Sequence, residues 1–451
     1  MPRSVIVIGG GISGLGVAYA LHREGVGVRL IEARSDVGGV IRSHRVEGYL
    51  IEHGPTSALN HSVEIERVID DLGLTGERVF ASPAARRRYI VRGGRPLPLP
   101  TGPIAFLTTP LWSARAKWRL LGEPFAPRAP AGEESIAAFV TRRMGSEFCD
   151  YAVDPFVSGV YAGDPHELSL ASTFPRLHAM ECEHGGLIRG AIAQIGRPRA
   201  ARPTRRGIYS FREGLAELPR ALGAELGDAL WVNTRVRTID RGSAGFRVTV
   251  ARADGGEFIE EAERLVLAVP ADAAAELARP WAPVLADELG AIVYAPVAIV
   301  YLAFPRSGVL HALDGFGCLV PRRERRTILG SLWTSTVFPG RVPDGMVGLT
   351  NFVGGATQPE LIDRPDHALI ASVLEDLDRL LGIRSPPAFA HVIRHARAIP
   401  QYLIGHGERL ARIEREVARI KGLSLAGNYL RGVSVNDCFE KGLALGRALA
   451  S

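Results

Sequence analysis

Gly9-Gly10-Gly11-Ile12-Ser13-Gly14 has the spacing GxGxxG, directly after the β-branched run Val5-Ile6-Val7-Ile8 and directly before apolar residues at helical spacing from Ile12 to Glu24. Glycines in such a turn leave backbone amides uncovered. The helix dipole adds positive potential, so the turn can hold a diphosphate. A lone GxGxxG is weak in a chain with 51 glycines, and an unliganded glycine turn is the alternative. The strand before it, the helix after it and a spaced acid distinguish the two. That acid is Glu32, which follows a second β-rich run, Val28 to Ile31, and lies 18 residues beyond Gly14. Its carboxylate suits ribose hydroxyls and disfavours a 2′-phosphate, which argues against NADP.

Asp36-Val37-Gly38-Gly39-Val40-Ile41-Arg42-Ser43 and Gly54-Pro55-Thr56-Ser57 come next. Alone, the glycine pair is equally an ordinary turn. Together with Glu32, the pattern E…GGxxRS resembles the superfamily of FAD-dependent amine oxidases, phytoene desaturases and protoporphyrinogen oxidases, in which the second pair lets the backbone approach the cofactor. FAD is therefore favoured over NAD. Four further stretches resemble the oxygen-dependent protoporphyrinogen and coproporphyrinogen oxidases of that superfamily, so that the resemblance spans nearly the whole chain. They are Phe156-Val157-Ser158-Gly159-Val160-Tyr161-Ala162-Gly163-Asp164 through Phe174-Pro175-Arg176-Leu177, Tyr294-Ala295-Pro296-Val297, Gly315-Phe316-Gly317-Cys318-Leu319-Val320-Pro321, and Leu425 through Gly432-Val433-Ser434-Val435-Asn436-Asp437-Cys438.

The resemblance implies a cofactor site made of Gly9, Gly10, Gly11, Ile12, Ser13, Gly14, Glu32, Ala33, Gly39, Arg42, Gly54, Pro55, Thr56 and Ser57. To these it adds Val236, meeting the adenine through its backbone, and Val433, Ser434 and Val435 at the start of the last helix beside the flavin. On the substrate side it implies Arg88 as a propionate anchor, Gly159 leaving room for a ring, and Phe316, Leu319 and Phe352 enclosing the macrocycle. Without it, an arginine in a run of three is a solvated face and a Phe or Leu in a strand is core. Thr56 and Ala396 depart from the family pattern, which commonly has asparagine and an aromatic there. The chemistry implied is oxidation of a porphyrinogen methylene bridge by FAD, three times over, with dioxygen reduced to hydrogen peroxide. No catalytic acid or base is nominated.

The elements that must position these residues follow from periodicity. Val5 to Ile31 is a βαβ unit, Val63 to Leu74 a short helix, and Arg86 to Pro100 a strand pair turning at Gly93-Gly94. Pro103 to Gly190 is mostly helical. Gly196 to Gly207, with Arg197, Arg199, Arg202, Arg205 and Arg206 among prolines and small residues, is expected to be an exposed linker. Gly245 to Val250 and Arg264 to Val269 are expected to rejoin the first unit, and Ile292 to Val353 forms a second strand-rich block. The fold class expected is α/β: a discontinuous Rossmann-like FAD-binding domain (residues 1–85, 205–275 and 391–451), an antiparallel-sheet substrate domain (86–102 and 276–390) and a helical insert (103–195).

Composition excludes several classes. Apolar residues make up 46 % and charged residues 23 % of the 451 positions, which is ordinary globular usage. The net charge of +6 comes almost wholly from arginine, since only Lys117, Lys421 and Lys441 are lysines. The arginine-rich stretches lack interleaved aromatics, so no nucleic acid partner is expected. Cys149, Cys182, Cys318 and Cys438 form no CxxC pattern, and a cytoplasmic protein is expected. The longest nearly continuous apolar run, Ala291 to Phe304, is too short to span a bilayer. His391 and His395 have helical i, i+4 spacing but no third ligand, so no metal is expected. Leu107, Leu111, Trp112 and Trp118 near Arg115, Lys117 and Arg119 suggest a face resting on an anionic membrane. A homodimer and contact with ferrochelatase are further partners that the sequence leaves open. The alternatives are an amine oxidase or carotenoid desaturase, which would share Glu32 but not the GVYAGD segment, and a carrier like the GDP-dissociation inhibitors, which would hold no flavin.

Overall fold

Val5, Ile6, Val7 and Ile8 are all buried, as a strand covered on both faces of a parallel sheet must be. The structure, a computed structural model, describes residues 4–128, 132–193, 195, 203–242, 245–252 and 255–451. Strand Ser4–Ile8 is the centre of a five-stranded parallel sheet. Gly27–Ile31 and Leu230–Trp231 lie on one side of it, and Arg264–Leu267 and Leu423–Leu425 on the other. Three distant stretches of chain thus build one unit. The first helix, Ile12–Arg23, and the last, Val435–Ala450, pack together through small residues. A Cβ on Gly442 would stand 2.4 Å from the Ser13 carbonyl oxygen, and one on Gly446 would stand 2.6 Å from that of Val17. The two ends of the sequence therefore meet beside the glycine turn.

Phe246–Arg252 does not join this sheet. It pairs with Thr234–Arg241 and Glu257–Ala262 in a separate three-stranded antiparallel sheet, and only Arg264–Leu267 rejoins the first unit. The reason is periodicity: Val248 and Val250 are buried while Arg247 is exposed, the alternation of a strand covered on one face.

The second large sheet has seven strands, in the order Phe389–Pro400, Tyr294–Pro305, Met346–Gly354, Ile328–Leu332, Gly315–Leu319, Arg87–Arg92, Arg95–Pro98. All its pairings are antiparallel except that of Gly315–Leu319 with Arg87–Arg92, because the 87–98 hairpin docks as a unit from a distant stretch. Helix Asp366–Leu381 covers one face through Leu369, Val373, Leu377 and Leu380. Strand Phe389–Pro400 belongs to this sheet, so the break drawn between 390 and 391 falls inside a strand, and the chain returns to the first unit only after Pro400. His391 and His395 lie on that strand and not on a helix. The proposed linker at 196–202 lies outside the described residues; Arg205 and Arg206 precede strand Gly207–Phe211.

Between the hairpin and the linker, short helices enclose Leu111, Trp112, Phe139, Phe148, Val157 and Leu168. Arg143 is fully buried there, bonded to Glu123 and Glu181. Among the described residues no helix is long and apolar enough to cross a membrane, and no group of three or more His, Cys, Asp or Glu is placed to hold a metal.

A buried ion pair joins the two large units. Arg341 donates to Glu52 Oε1 at 3.1 Å, to Ser210 Oγ at 2.9 Å and to the Phe211 carbonyl at 3.0 Å, while Glu52 also accepts from the Leu215 amide at 3.0 Å. Burial pushes the Glu52 carboxyl up and the Arg341 guanidinium down from their ordinary pKa values, each opposed by the other's charge. Arg341→Met leaves Glu52 buried and unpaired, so a loss of about 3–5 kcal/mol in denaturant unfolding is expected, with partial recovery on adding Glu52→Gln.

Candidate cofactor and substrate site

The glycine turn and the second glycine pair are bonded to each other. The Gly9 amide donates to the Ile31 carbonyl at 2.9 Å and the Gly38 amide to the Gly10 carbonyl at 2.7 Å. The turn is tight: a Cβ on Gly14 would lie 2.0 Å from the Gly9 carbonyl oxygen, and Gly9 itself has φ +110°. A Cβ on Gly39 would come 3.4 Å from Gly11 Cα, whereas one on Gly11 would meet nothing within 4 Å. The first helix starts at Ile12 with no side-chain cap and no acid in its first turn, so its positive end stays open toward that space.

Glu32 stands just past its strand and accepts from the Gly10 amide at 2.7 Å through one oxygen and from the Arg34 amide at 2.9 Å through the other. A carboxylate has about four lone-pair sites, which leaves two for a ligand. Ala33, beside it, is exposed. Strand Thr234–Arg241 is hung on the same stretch, with the Thr234 amide donating to the Glu32 carbonyl at 3.0 Å and the Asn233 amide to that of Arg34 at 2.8 Å. A bulge between Val236 and Thr238 interrupts its pairing.

Arg42 Nε is buried and, among the described residues, has no hydrogen-bond partner. Burial lowers its pKa, the Arg34 charge adds to this, and Asp36 opposes it. A buried guanidinium nitrogen without a partner fits an anionic, hydrogen-bonding cofactor. A Cβ on Gly54 would lie 2.5 Å from the Val40 carbonyl oxygen, so the half-buried Gly54-Pro55-Thr56-Ser57 turn presses on the loop that carries Arg42. The last helix is pinned to the stretch after that turn, since Asn436 Nδ2 donates to the Leu59 carbonyl. Ser434 is its N-cap, accepting from the Asp437 amide at 3.1 Å, with Val433 and Val435 on either side.

Sequence reasoning missed Asn436 and a group of histidines. His44 Nδ1 lies 2.9 Å from His53 Nε2, the His53 and His391 rings are 6.1 Å apart, and the His395 ring bonds to the His53 carbonyl. Burial, then His44, Arg42, His391 and His395, hold His53 down to about 4, so it is neutral near pH 7. No spacing in the sequence signals this group, because it forms across two units.

On the substrate side, Arg88 is exposed, and its guanidinium has no ion pair or hydrogen bond among the described residues. Its guanidinium lies 5.5 Å from the centre of the Phe316 ring. A Cβ on Gly159, in helix Asp154–Tyr161, would lie 2.4 Å from Leu319 Cδ2. Leu319 pairs with Gly330, and Gly330 with Phe352, so that Leu319 and Phe352 share one row of the sheet with a missing side chain between them. Phe316 and Phe352 pack against the same small cluster of Leu332, Val337 and Phe338. Tyr161 ends the helix, and its pKa is pushed up to about 12 by burial and then by the charge of Asp437, which places it within electrostatic reach of the start of the last helix. Ala396 is exposed on its strand.

One unit carries the open glycine turn with Glu32 and Arg42, and the other carries the row of Leu319 and Phe352. The chain belongs to the flavin-containing amine oxidoreductase family, whose model matches residues 12–448, and FAD is its cofactor. Within that family it falls with the porphyrinogen oxidases. It is 34 % identical over 463 aligned positions to protoporphyrinogen oxidase 1, chloroplastic, of Spinacia oleracea, covering 96 % of this chain and 82 % of that protein. It is 29 % identical to coproporphyrinogen III oxidase of Bacillus subtilis, over 98 % and 97 %. The crystal structure of a candidate protoporphyrinogen oxidase from Exiguobacterium sp. 255-15 superposes with a TM-score of 0.83 at 25 % identity, covering 100 % and 99 % of the two chains.

The open space at Gly11 sets a test. Gly11→Val is expected to leave the melting of the cofactor-free protein unchanged while abolishing FAD uptake, measured by titration calorimetry and absorbance. Gly14→Val, aimed into the Gly9 carbonyl, is expected to lower both.

Proposed function

We propose that this protein oxidises protoporphyrinogen IX to protoporphyrin IX, six electrons leaving the macrocycle as three O2 become three H2O2. The observation that carries this reading is Arg88: an unpaired guanidinium standing on the Phe316 ring, beside an apolar row, in a flavoenzyme of the porphyrinogen oxidase branch. A large apolar substrate that ends in carboxylates needs those two features together.

Bound FAD supplies the two-electron acceptance from a substrate methylene carbon and the onward reduction of dioxygen. The chain's residues bind, orient and exclude water. The amides that follow Gly10 at the open end of the first helix receive the diphosphate, Glu32 takes the ribose, and Arg42 Nε finds the acceptor it lacks among the described residues. The Val236 backbone meets the adenine, Gly39 and the Gly54–Ser57 turn hold the cofactor's middle, and Val433 to Val435 bring the last helix's positive end to the flavin ring. Arg88 fixes a propionate, Phe316, Leu319 and Phe352 give the macrocycle a dry wall, and Gly159 leaves room for a ring once the end of the Leu319 side chain, which fills that space, turns aside. No side chain serves as catalytic base, because the pyrrole protons leave by tautomerisation and through solvent.

The experiment offers protoporphyrinogen IX and coproporphyrinogen III to the FAD-loaded protein and follows porphyrin fluorescence and oxygen uptake. About three O2 consumed per porphyrin from protoporphyrinogen IX is expected from the electron count. Porphyrin from coproporphyrinogen III alone replaces the substrate named here, and none from either overturns the reading. Arg88→Ala is expected to raise KM about tenfold with kcat little changed, since a propionate anchor binds ground and transition states alike.

We further propose that the helical insert rests on a membrane. Ile104 is 79 %, Trp118 73 % and Phe125 83 % exposed, with Leu107 and Leu121 also exposed near Arg115. Leu111 and Trp112, expected on that face, are buried in the core of the insert, and the Lys117 ammonium caps the Leu107 and Thr109 carbonyls, so these three are not part of it. Co-flotation with anionic liposomes is expected, and loss of it in Trp118→Ser/Phe125→Ser.

A further inference from the structure

Four imidazoles meet where the cofactor unit lies against the substrate sheet. His44 stands on strand Ser43–Val46, and His53 directly follows its hairpin partner, strand Tyr49–Glu52. His391 and His395 stand on strand Phe389–Pro400, at the edge of the seven-stranded sheet. His53 is the centre of the group. Its Nε2 lies 2.9 Å from His44 Nδ1, its ring 6.1 Å from that of His391, and its carbonyl accepts from the His395 ring at 2.5 Å. The bond between His44 and His53 needs one nitrogen to donate and the other to accept, so it survives only while at least one of the two rings is neutral.

Among the described residues, no carboxylate bonds to any of the four rings. The charged neighbours on the same elements are paired elsewhere: Arg394 with Asp366, Arg397 with Asp272, Arg45 with Glu213, and Glu52 with Arg341. Arg42, on which Arg34 and Asp36 act with opposite signs, adds a positive charge. The charges that act most on His53, those of His44, Arg42, His391 and His395, all oppose a proton on it, and with burial they hold it at about 4. The His53 amide donates to the Arg42 carbonyl at 2.8 Å, and Gly54 comes next in the chain. The ring thus stands between Arg42 and the Gly54–Ser57 turn.

A ring held at about 4 inside this seam returns to about 6.5 when water reaches it. Parting the seam therefore takes up a proton between those values. The closed form is fully favoured above about pH 6.5 and loses ground as pH falls, the opening constant rising by up to about tenfold per pH unit.

We propose that the histidine seam is an acid-sensitive latch between the cofactor unit and the substrate sheet, closed at neutral pH, and that its parting hastens the loss of FAD. The second half rests on reading Arg42 and the Gly54–Ser57 turn as cofactor residues. When the latch parts, both stretches lose the backing of the sheet, and a binding wall that opens locally releases its ligand sooner.

The test uses the wild-type chain, His53→Gln, His44→Gln and, as a control away from the seam, His22→Gln. FAD release from the loaded protein is followed by flavin fluorescence on dilution at constant ionic strength. In the wild type and His22→Gln, release about tenfold faster at about pH 5.5 than at about pH 7.5 is expected, in His53→Gln a change within about twofold, and in His44→Gln a shallower rise. Hydrogen exchange of the cofactor-free protein, corrected for its intrinsic pH dependence, is expected to show the 43–53 amides loosening with acid in the wild type and not in His53→Gln. No acid response in the wild type, or an equal one in His53→Gln, overturns the latch. Acid-loosened exchange with FAD release unmoved by pH overturns its coupling to the cofactor. Undiminished FAD affinity in Arg42→Met at neutral pH refutes the cofactor reading instead, and the exchange measurement then decides the latch by itself. Should His53→Gln fail to fold, His44→Gln, altered at an exposed side chain, carries the same comparison.

Discussion

The rest of the structure depends on the open positive end of helix Ile12–Arg23. Among the described residues no side chain caps it, and the turn that leads into it is folded so tightly that a side chain at Gly14 would strike the backbone. An uncapped helix end is costly unless an anion completes it. Other parts of the chain are arranged around that helix end. The second glycine pair bonds to the first turn, and Arg42, three residues after that pair, keeps a buried nitrogen without a partner among the described residues. The last helix is drawn in by Gly442 and Gly446 so that its own start meets the same cleft.

The apolar unit is tied to this cleft by few but buried bonds. Arg341 with Glu52 fixes one unit on the other, and Asn436 fixes the last helix on the stretch after Gly54–Ser57. Because such pairs are dry, their geometry is stiff. The same principle recurs on a smaller scale at Asp154 and Asp164, both paired with the Arg322 guanidinium. The chain draws on arginine for nearly all of these bonds, and its planar fork and permanent charge suit shielded carboxylates better than lysine does.

How much of this was legible in the sequence depended on whether a constraint was local. Gly9 to Gly14, Glu32 and Gly38-Gly39 were readable because close backbone approach leaves only glycine workable, and an acid at a set distance is a second, independent sign. The row Leu319–Gly330–Phe352 was not, because strand periodicity tells which face a residue takes but not which strand lies beside it. Strand Phe389–Pro400 was cut at 390 because its alternating histidines and arginines, half-covered in the fold, carry no apolar alternation. Phe246–Arg252 was assigned to the wrong sheet for the opposite reason: its alternation was visible, but its pairing partners were not. Arg322 was one arginine among many, distinguished only by two aspartates brought to it by folding.

Glu32 has one more consequence. Its carboxylate is already anchored by the amides of Gly10 and Arg34, so it need not search for an orientation when a sugar arrives. The ordering entropy of that wall is spent during folding and not at the encounter, which leaves more of the contact energy to appear as tight retention of the nucleotide.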